Sequence, residues 1–372
     1  MKTVVQLESF PSIFNESLRK NLRKNKAFSE KYDLIAINLE DEQKNYKTDC
    51  AITYDISSFV PNIRYWIGFS RYLEKKYRNL YGEIVNIQFV VWQYIFLLPF
   101  LRKHFGRIVL SYWGSDILRV RKKVLQREKR LLDRADTITF ISEDMKVRFE
   151  EIFGKKYERK IRKIDFGSEI LDCIDALSDE DVRDFRQKYG ITEDKKCLVI
   201  GYNRNREQQH SGVIRSIIRS DTDLNDILIV FPWTYGRDDP GYMGEIESLV
   251  SGKYNYLFLR DDLTTEEVAC LRRISDVFVQ TQTTDALSSS MLETIYAEKD
   301  VITGRWLHYD ELNRAGVQLH YVNSVDDVGS VIREVLTNPF SDQTKKHNKE
   351  IIREMCGWEN RIRDWLDLYL SK

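Results

Sequence analysis

Two acidic residues, Asp285 and Glu293, flank a serine-rich segment in the second half of the chain. The apolar run at residues 277–280 is typical of a buried parallel strand, and the apolar spacing over residues 291–297 predicts a helix packed on the same sheet. The turn between them therefore belongs at the carboxyl end of a strand, where open α/β sheets bind their ligands. A helix that begins there offers unpaired N–H groups and a positive dipole end to an anion such as a diphosphate.

A second polar loop, residues 199–210, follows the first predicted strand of this half and carries Asn203, Arg204 and Arg206. Guanidinium groups bind phosphate oxygens through two parallel N–H donors, so these arginines are candidates for holding an anion. Further along, a Tyr-Gly turn after another apolar strand contains Tyr235. Asparagine, arginine and glycine are also common in ordinary turns, and that interpretation stays open.

In the first half, a strand that ends in Tyr-Trp-Gly-Ser-Asp leads into a helical pattern. Gly114 allows a tight turn, and either Ser115 or Asp116 is suited to cap the helix. A carboxylate in a partly dry cleft can also orient or deprotonate a hydroxyl group. Asp116 is therefore a candidate general base as well as a candidate cap, and the two roles are compatible.

Short apolar runs alternate with helical patterns along the whole chain, which predicts parallel sheets built from βαβ units. The expected strands are residues 4–7, 34–38, 51–54, 87–91, 108–112, 137–141 and 161–164 in the first half, and 197–201, 227–231, 256–259, 276–279, 301–303 and 319–322 in the second. Each set can form one doubly wound sheet. The predicted fold class is α/β, with two Rossmann-like domains.

The polar segment at residues 177–196 is the predicted linker between the domains, with Ser178 placed to cap a short helix and Gly190 to end it. The first domain then covers residues 1–176 and the second covers residues 197–350. Residues 351–372 form a predicted C-terminal helix with one apolar face. We expect this helix to pack back toward the first domain.

The length of 372 residues exceeds what one core usually organises, which agrees with two domains. The five cysteines show no paired spacing, so neither a zinc site nor a disulfide framework is indicated. The N-terminal residues lack a signal-peptide core, and the longest apolar run, residues 89–101, is too short to span a bilayer. We expect a cytoplasmic protein, with peripheral attachment to the inner face of the plasma membrane left open.

The formal net charge is zero, but the charges are unevenly distributed. Residues 1–175 hold 33 Lys and Arg against 24 Asp and Glu, a net +9, and the remaining residues hold 25 against 34, a net −9. Residues 119–134, predicted as one helix, hold eight basic residues and two acidic ones. This face suits an anionic membrane surface or the phosphates of a polyprenyl carrier, and an ordinary solvated helix face is the alternative.

Two Rossmann-like halves with an acidic pair at a strand end of the second resemble the GT-B glycosyltransferases, whose domains face a cleft, over nearly the whole chain. The pair is similar to the donor-site motif of family 4, although Asp285 stands where Glu is usual. The resemblance implies that Glu293 hydrogen-bonds the ribose of a nucleotide-sugar and that Asp285 approaches its sugar. It also implies that the Arg204 and Arg206 side chains neutralise the leaving diphosphate, although the usual lysine position is not filled. Backbone N–H groups at Ala286, Leu287 and Ser288, with Ser289 beside them, would face the same diphosphate. The alternative is that Asp285 caps the helix and Glu293 lies on the surface.

Residues 199–210 and 231–242 also resemble segments of the bacterial dideoxy-acetamidogalactose transferases of enterobacterial common antigen synthesis, a likeness that includes Asn203 and Tyr235. The implied activity is transfer of a sugar from a nucleoside diphosphate-sugar to a carbohydrate or polyprenyl-linked acceptor in bacterial surface-polysaccharide synthesis. The family 4 resemblance favours retention of anomeric configuration, and the second resemblance favours inversion. The N-terminal domain is the implied acceptor domain.

The histidines lack metal-ligand spacing, and neither an Asp-x-Asp motif nor a P-loop nor a dinucleotide fingerprint follows a strand. We therefore expect no metal, no cofactor and no nucleic-acid partner, and the pattern argues against a kinase or a dehydrogenase. Two other functions remain open at this point. One is a catalytically silent GT-B partner or chaperone of another glycosyltransferase, and the other is a nucleotide-sugar epimerase.

Overall fold

The computed structural model describes residues 1–46 and 63–371. The strand predicted at residues 51–54 lies outside the described residues. The chain divides into two compact units, of which the first contains Met1–Gly167 with Trp358–Lys372 and the second contains Ser168–Gly357. Within the described ranges, no helix is long and apolar enough to cross a membrane.

The first unit contains a parallel sheet whose strand order is β2-β1-β3-β4-β5-β6. Its strands are β1 (Lys2–Glu8), β2 (Tyr32–Asn38), β3 (Gly82–Gln88), β4 (Phe105–Ser111), β5 (Thr137–Phe140) and β6 (Ile161–Lys163). The chain passes from β1 to β2 on one side and then returns to β3 on the other side. The carboxyl ends of β1 and β3 therefore form the topological switch point of this sheet.

The helices of the first unit are α1 (Ile13–Lys24), α2 (Lys26–Ser29), α3 (Leu39–Tyr46), α4 (Ile63–Lys76), α5 (Leu98–His104), α6 (Ser115–Leu118), α7 (Lys122–Leu125), α8 (Lys129–Arg134), α9 (Glu143–Phe153) and, from the C-terminus, α19 (Trp358–Leu370). Short 3-10 helices cover Trp92–Leu97, Gln126–Glu128 and Lys155–Lys160. Helix α19 packs into the core of this unit, where the Trp365 indole donates to the carbonyl of Asp165 at 2.9 Å and Asn86 donates to the Tyr369 hydroxyl at 2.7 Å.

Two predictions in the first unit were wrong in detail. The strand expected at residues 87–91 overlaps only the last two residues of β3, because Phe89 adopts a left-handed φ of 65° that ends the strand. Residues 119–134 are not one helix, since Arg121 is extended (φ −64°, ψ 138°) before α7 and a 3-10 turn separates α7 from α8. That turn directs Glu128 inward, where its carboxylate accepts a hydrogen bond of 2.5 Å from the Tyr112 hydroxyl.

The second unit contains another parallel sheet, with the order β12-β11-β10-β7-β8-β9. Its strands are β7 (Lys196–Ile200), β8 (Ile227–Pro232), β9 (Asn255–Leu259), β10 (Ser275–Gln280), β11 (Asp300–Gly304) and β12 (His320–Val322). The chain winds from β7 to β9 on one side and from β10 to β12 on the other. The switch point lies between β7 and β10, and the predicted pair of doubly wound α/β domains is confirmed.

The helices of the second unit are α10 (Ile170–Ala176), α11 (Asp179–Lys188), α12 (His210–Arg219), α13 (Pro240–Val250), α14 (Thr265–Ile274), α15 (Ser289–Tyr296), α16 (Asp310–Ala315), α17 (Val328–Thr337) and α18 (Asp342–Cys356). Two 3-10 helices cover Arg206–Gln208 and Val325–Asp327. Apolar residues of the strands are buried on both faces of the sheet, as expected where helices cover both sides.

The compact units divide the chain after Gly167 and Gly357, whereas the predicted boundaries lie at residues 176, 197 and 351. Helices α10 and α11 join the second unit because Ile170, Leu171 and Phe185 are buried in its core. The segment predicted as a linker, residues 177–196, contains α11, which Ser178 caps by accepting from the Asp181 backbone. The segment at residues 351–372 contains the end of α18 in the second unit and α19 in the first.

Candidate functional site

The switch point of the second sheet brings together the two polar loops that the sequence singles out. Strands β7 and β10 are neighbours, and the Gly201 N–H donates to the Val279 carbonyl at 3.0 Å just beyond their last paired residues. Farther out, the Thr283 N–H donates to the Glu207 carbonyl at 2.9 Å. The loop after β7 and the loop after β10 therefore form one continuous surface at the carboxyl edge of the sheet.

The turn after β7 is lined by buried polar atoms. Gly201 has a φ of 67°, and a Cβ atom there would lie 2.8 Å from His210 Nε2 and 2.9 Å from Gln208 Oε1. Both of these atoms are buried and lack a hydrogen-bond partner among the residues that the structure describes. Burial lowers the pKa of His210 to about 3, so its imidazole is neutral. The turn thus places a neutral imidazole nitrogen, which can donate or accept a hydrogen bond, directly beside the backbone of Gly201.

Helix α15 begins at this edge, and Ser288 is its N-cap. The Ser288 hydroxyl accepts a hydrogen bond of 3.3 Å from the Met291 N–H. Because Ser288 holds this position, Asp285 is not the helix cap. The first turn, which starts at Ser289, directs its N–H groups toward the carboxyl edge of the sheet, as the start of a helix after a parallel strand does.

Asp285 is oriented by a residue that follows β11. One carboxylate oxygen of Asp285 accepts a hydrogen bond of 2.7 Å from the Tyr309 hydroxyl, and the other lies 3.5 Å from the Gln282 side-chain amide. Tyr309 is buried, and burial together with the charge of Asp285 raises the pKa of its hydroxyl well above the usual value. Tyr309 therefore stays protonated and donates to the carboxylate.

Glu293 is buried at 5% exposure, so it is not a surface residue. Its carboxylate accepts from the Ser168 hydroxyl at 3.0 Å and from Arg272 Nε at 3.2 Å. Arg272 also donates to the Ser290 hydroxyl at 2.8 Å, on the first turn of α15. Burial raises the pKa of Glu293, and the Arg272 charge and the two hydrogen bonds oppose that rise. The buried, positively charged Arg272 side chain therefore lies against the first turn of α15.

The two candidate arginines differ in their surroundings. Arg204 donates through Nε to the Gly236 carbonyl at 2.9 Å, and no carboxylate pairs with its guanidinium within the described part of the chain. Arg206 pairs instead with Asp239 at 2.7 Å and Glu245 at 3.0 Å, and its guanidinium lies over the Tyr242 ring. Arg204 therefore has N–H donors to offer a ligand, whereas the charge of Arg206 is already compensated.

The other predicted site residues at this edge, Asn203, Tyr235 and Leu287, differ in exposure and in the groups that they contact. Asn203 is buried and its side-chain oxygen accepts from the Asn205 N–H at 3.0 Å, which shapes the turn after β7. Tyr235 is 53% exposed, and its carbonyl accepts from the Arg204 N–H. Leu287 packs against the core of the unit, so only its backbone is suited to face a ligand. All of these residues lie on loops at the carboxyl edge of the second sheet.

Asp116 lies in the first unit, at the carboxyl end of β4, and is fully buried. Its carboxylate accepts backbone hydrogen bonds from Val90 at 3.0 Å, Trp113 at 2.9 Å and Gly114 at 2.8 Å. Burial raises the pKa of Asp116 to about 7, although these N–H donors oppose the rise. In this position Asp116 holds the loops after β3 and β4 together, and its role as a general base stays a prediction.

No protein-family model and no curated protein matches this sequence. Solved structures do match over the full length. A glycosyltransferase from Rickettsia africae covers 99% of this chain and 97% of its own with a TM-score of 0.74 and 13% identity. HepE from Anabaena in complex with UDP and glucose covers 100% of both chains with a TM-score of 0.74 and 10% identity. Sucrose-phosphate synthase from Thermosynechococcus elongatus covers 100% of this chain and 99% of its own, with a TM-score of 0.70 and 13% identity.

The two parallel six-stranded sheets match those of the GT-B structures. The chain has the GT-B fold.

Within this fold, the sequence patterns locate the loops at the second switch point, but they miss Arg272 and Tyr309, which hold the acidic pair. Neither residue lies in a recognisable motif, because each reaches Glu293 or Asp285 from another element of the fold. The only sequence signal is their position, Arg272 just before β10 and Tyr309 shortly after β11. Among the described residues, no group of three His, Cys, Asp or Glu side chains is placed to hold a metal ion.

Proposed function

We propose that this chain transfers a sugar from a nucleoside diphosphate-sugar and that the donor binds at the carboxyl edge of the second sheet. One observation carries the proposal. The switch point between β7 and β10 places the Arg204 guanidinium, which has no carboxylate partner among the residues that the structure describes, on the loop beside the one that opens α15. Anions bind at such edges, and a diphosphate needs a cation and N–H donors together. The GT-B structures of HepE were determined with UDP and glucose and with UDP-glucose, which supports a nucleotide-sugar.

In this proposal Arg204 and the first turn of α15 stabilise the charge that develops on the departing diphosphate. Fixed donors in a partly dry site are suited to this task because they need no reorganisation during the reaction. Arg206 contributes less, since Asp239 and Glu245 compensate its charge. Glu293 receives the ribose hydroxyls, and Asp285, held by Tyr309, approaches the donor sugar.

We also propose an acceptor and a stereochemical course for the transfer. We assign the acceptor to carbohydrates, free or polyprenyl-linked, in bacterial surface-polysaccharide synthesis, with peripheral attachment at the inner face of the membrane through residues 119–134. The local resemblance of residues 199–210 and 231–242 to the dideoxy-acetamidogalactose transferases supports this assignment. The reaction is proposed to need no metal and to retain anomeric configuration. The acidic pair of Asp285 and Glu293 supports retention.

The test is to incubate the full chain with UDP-, GDP- and dTDP-sugars, with and without a panel of oligosaccharide and polyprenyl phosphate acceptors. Release of nucleoside diphosphate that depends on acceptor supports sugar transfer, and NMR of the product gives its anomeric configuration. If the donor sugar is epimerised in the absence of an acceptor, the protein is instead a nucleotide-sugar epimerase. Absence of turnover combined with absence of a thermal shift from any nucleotide would contradict both enzymatic functions and leave a partner protein.

Three arginine variants make the test specific for the site. Arg204→Ala should weaken nucleotide-sugar binding by roughly 10- to 100-fold, since a hydrogen bond to a charged group contributes about 1.5–3 kcal/mol. Arg206→Ala should have a smaller effect. Arg183→Ala is the matched control, because Arg183 is exposed on α11 of the same unit and away from the switch point. Equal losses in all three variants would contradict the assignment of Arg204.

A further inference from the structure

A groove of about 890 Å³ lies on the first unit. It is bounded by the 3-10 helix Trp92–Leu97, by α5 and by α8. One part of its lining is apolar and the other part is cationic. The apolar residues are Ile95, Phe96, Leu98 and Pro99, and the charged residues are Arg102, Lys103, Arg130, Asp133 and Arg134.

The spacing of these residues on their helices explains the two-part lining. On α5, Leu98 and Arg102 are four residues apart, so one helix face changes from apolar to cationic over about 6 Å. On α8, Arg130 and Arg134 are also four residues apart and share a face. Three guanidinium groups are thereby placed next to an apolar surface.

The positive charge of the groove is not compensated by its own lining. Asp133 is the single carboxylate among the lining residues, and it accepts from Lys156 at 2.6 Å and from the Tyr157 hydroxyl at 2.8 Å. Lys103 pairs with Glu74. Within residues 1–46 and 63–371, no carboxylate lies within ion-pair distance of the three lining arginines, Arg102, Arg130 and Arg134. The groove is therefore complementary to an anion.

We propose that this groove binds a phospholipid of an anionic membrane surface. The phosphate lies among Arg102, Arg130 and Arg134, because guanidinium groups bind phosphate oxygens in pairs. The first carbons of the lipid chains lie against Phe96 and Leu98. The volume is that of an ordinary small-molecule site, large enough for a headgroup and the start of its chains. An ion such as inorganic phosphate would leave the apolar part unused.

The groove deepens the membrane attachment proposed above for residues 119–134 and rests on it, but it does not depend on sugar transfer, and its test uses no sugar nucleotide. The full chain is sedimented with vesicles of phosphatidylcholine alone and of phosphatidylcholine mixed with phosphatidylglycerol. Binding should appear only with the mixed vesicles. Arg130→Ala with Arg134→Ala should weaken it by roughly 30-fold, at about fivefold for each cation near an anionic surface. Both positions are exposed on a helix and alanine favours helix, so the fold should be retained, which circular dichroism checks.

The matched control is Lys24→Ala with Lys26→Ala, which removes the same charge from exposed positions of the same unit, outside both the groove and residues 119–134. This pair should leave binding within about twofold, because exposed charges away from the phosphate are screened. Leu98→Gln should weaken binding without a change of charge. Equal losses in the two double variants would show diffuse attraction and overturn the groove as the site. Absence of binding to the mixed vesicles, an unaffected Leu98→Gln variant, or release by inorganic phosphate at constant ionic strength would also overturn it.

Discussion

Replacing Arg272 by methionine should destabilise the second unit, because it leaves the Glu293 carboxylate buried without its cation. The two side chains are only 6% and 7% exposed, and Arg272 Nε lies 3.2 Å from the carboxylate. Removing one partner of such a buried pair costs about 3–5 kcal/mol, since the remaining charge stays desolvated. For a unit of this size, that loss should lower the melting temperature by roughly 10 °C. Urea and thermal unfolding of the full chain measure it.

The matched control is the double variant Arg272→Met with Glu293→Gln. It removes both charges, so it should be less destabilised than Arg272→Met alone. The difference gives the coupling energy of the pair through a double-mutant cycle. A double variant that loses as much as the sum of the two single variants would refute the idea that the two side chains act as a pair.

The loss in Arg272→Met should also depend on pH. Burial already raises the pKa of Glu293, and removal of the Arg272 charge that opposes this rise should raise it further. A group with a raised pKa in the folded state contributes its full stability below its unfolded pKa, and the contribution is lost as pH rises through the folded pKa. The variant should therefore lose more stability, relative to the original chain, at pH 8 than at pH 5. A loss that is equal at both pH values would refute the electrostatic explanation.

Three further predictions concern the loops at the strand ends. Gly201→Ala should cost about 1–3 kcal/mol in urea unfolding, because φ is 67° and the added Cβ would lie 2.8 Å from His210 Nε2. Ser288→Ala should lose about 1 kcal/mol as the N-cap of α15, while Ser289→Ala should not. Burial raises the pKa of Asp116 to about 7, so its ionisation destabilises the folded state as the pH rises. Between pH 5 and pH 8 the original chain should therefore lose roughly 2–3 kcal/mol of unfolding free energy relative to Asp116→Asn.

Much of the fold was predictable because its strands are short apolar runs between helical patterns, as parallel sheets require. The strand at residues 87–91 was misplaced for the same reason. The apolar run continues past Gln88, whereas the backbone turns at Phe89, and hydrophobicity does not report a change of φ. The broken helix at residues 119–134 has a similar cause, since the inward position of Glu128 depends on Tyr112, which lies on another element.

The candidate site was predictable in its loops but not in its contacts. Parallel topology brings the ends of β7 and β10 together, so two loops that are distant in sequence had to be neighbours once the strand order was known. The distinction between Arg204 and Arg206 could not be drawn in advance. It depends on Asp239 and Glu245, which approach Arg206 from the turn after β8 and from α13.

The contacts of Glu293 constrain how much a ribose could contribute to binding in the proposed donor site. Its two oxygens already accept from Ser168 and Arg272, and the residue is only 5% exposed. A carboxylate has about four acceptor sites, but burial closes the remaining ones, so a ribose hydroxyl reaches Glu293 by replacing the Ser168 hydroxyl. Exchange of one hydroxyl for another yields little net free energy, because the number of hydrogen bonds is unchanged. Arg272 nevertheless matters for the exchange, since it opposes protonation of the buried carboxylate and keeps it an acceptor. Most of the affinity for a nucleotide-sugar must then come from the diphosphate at Arg204 and the start of α15.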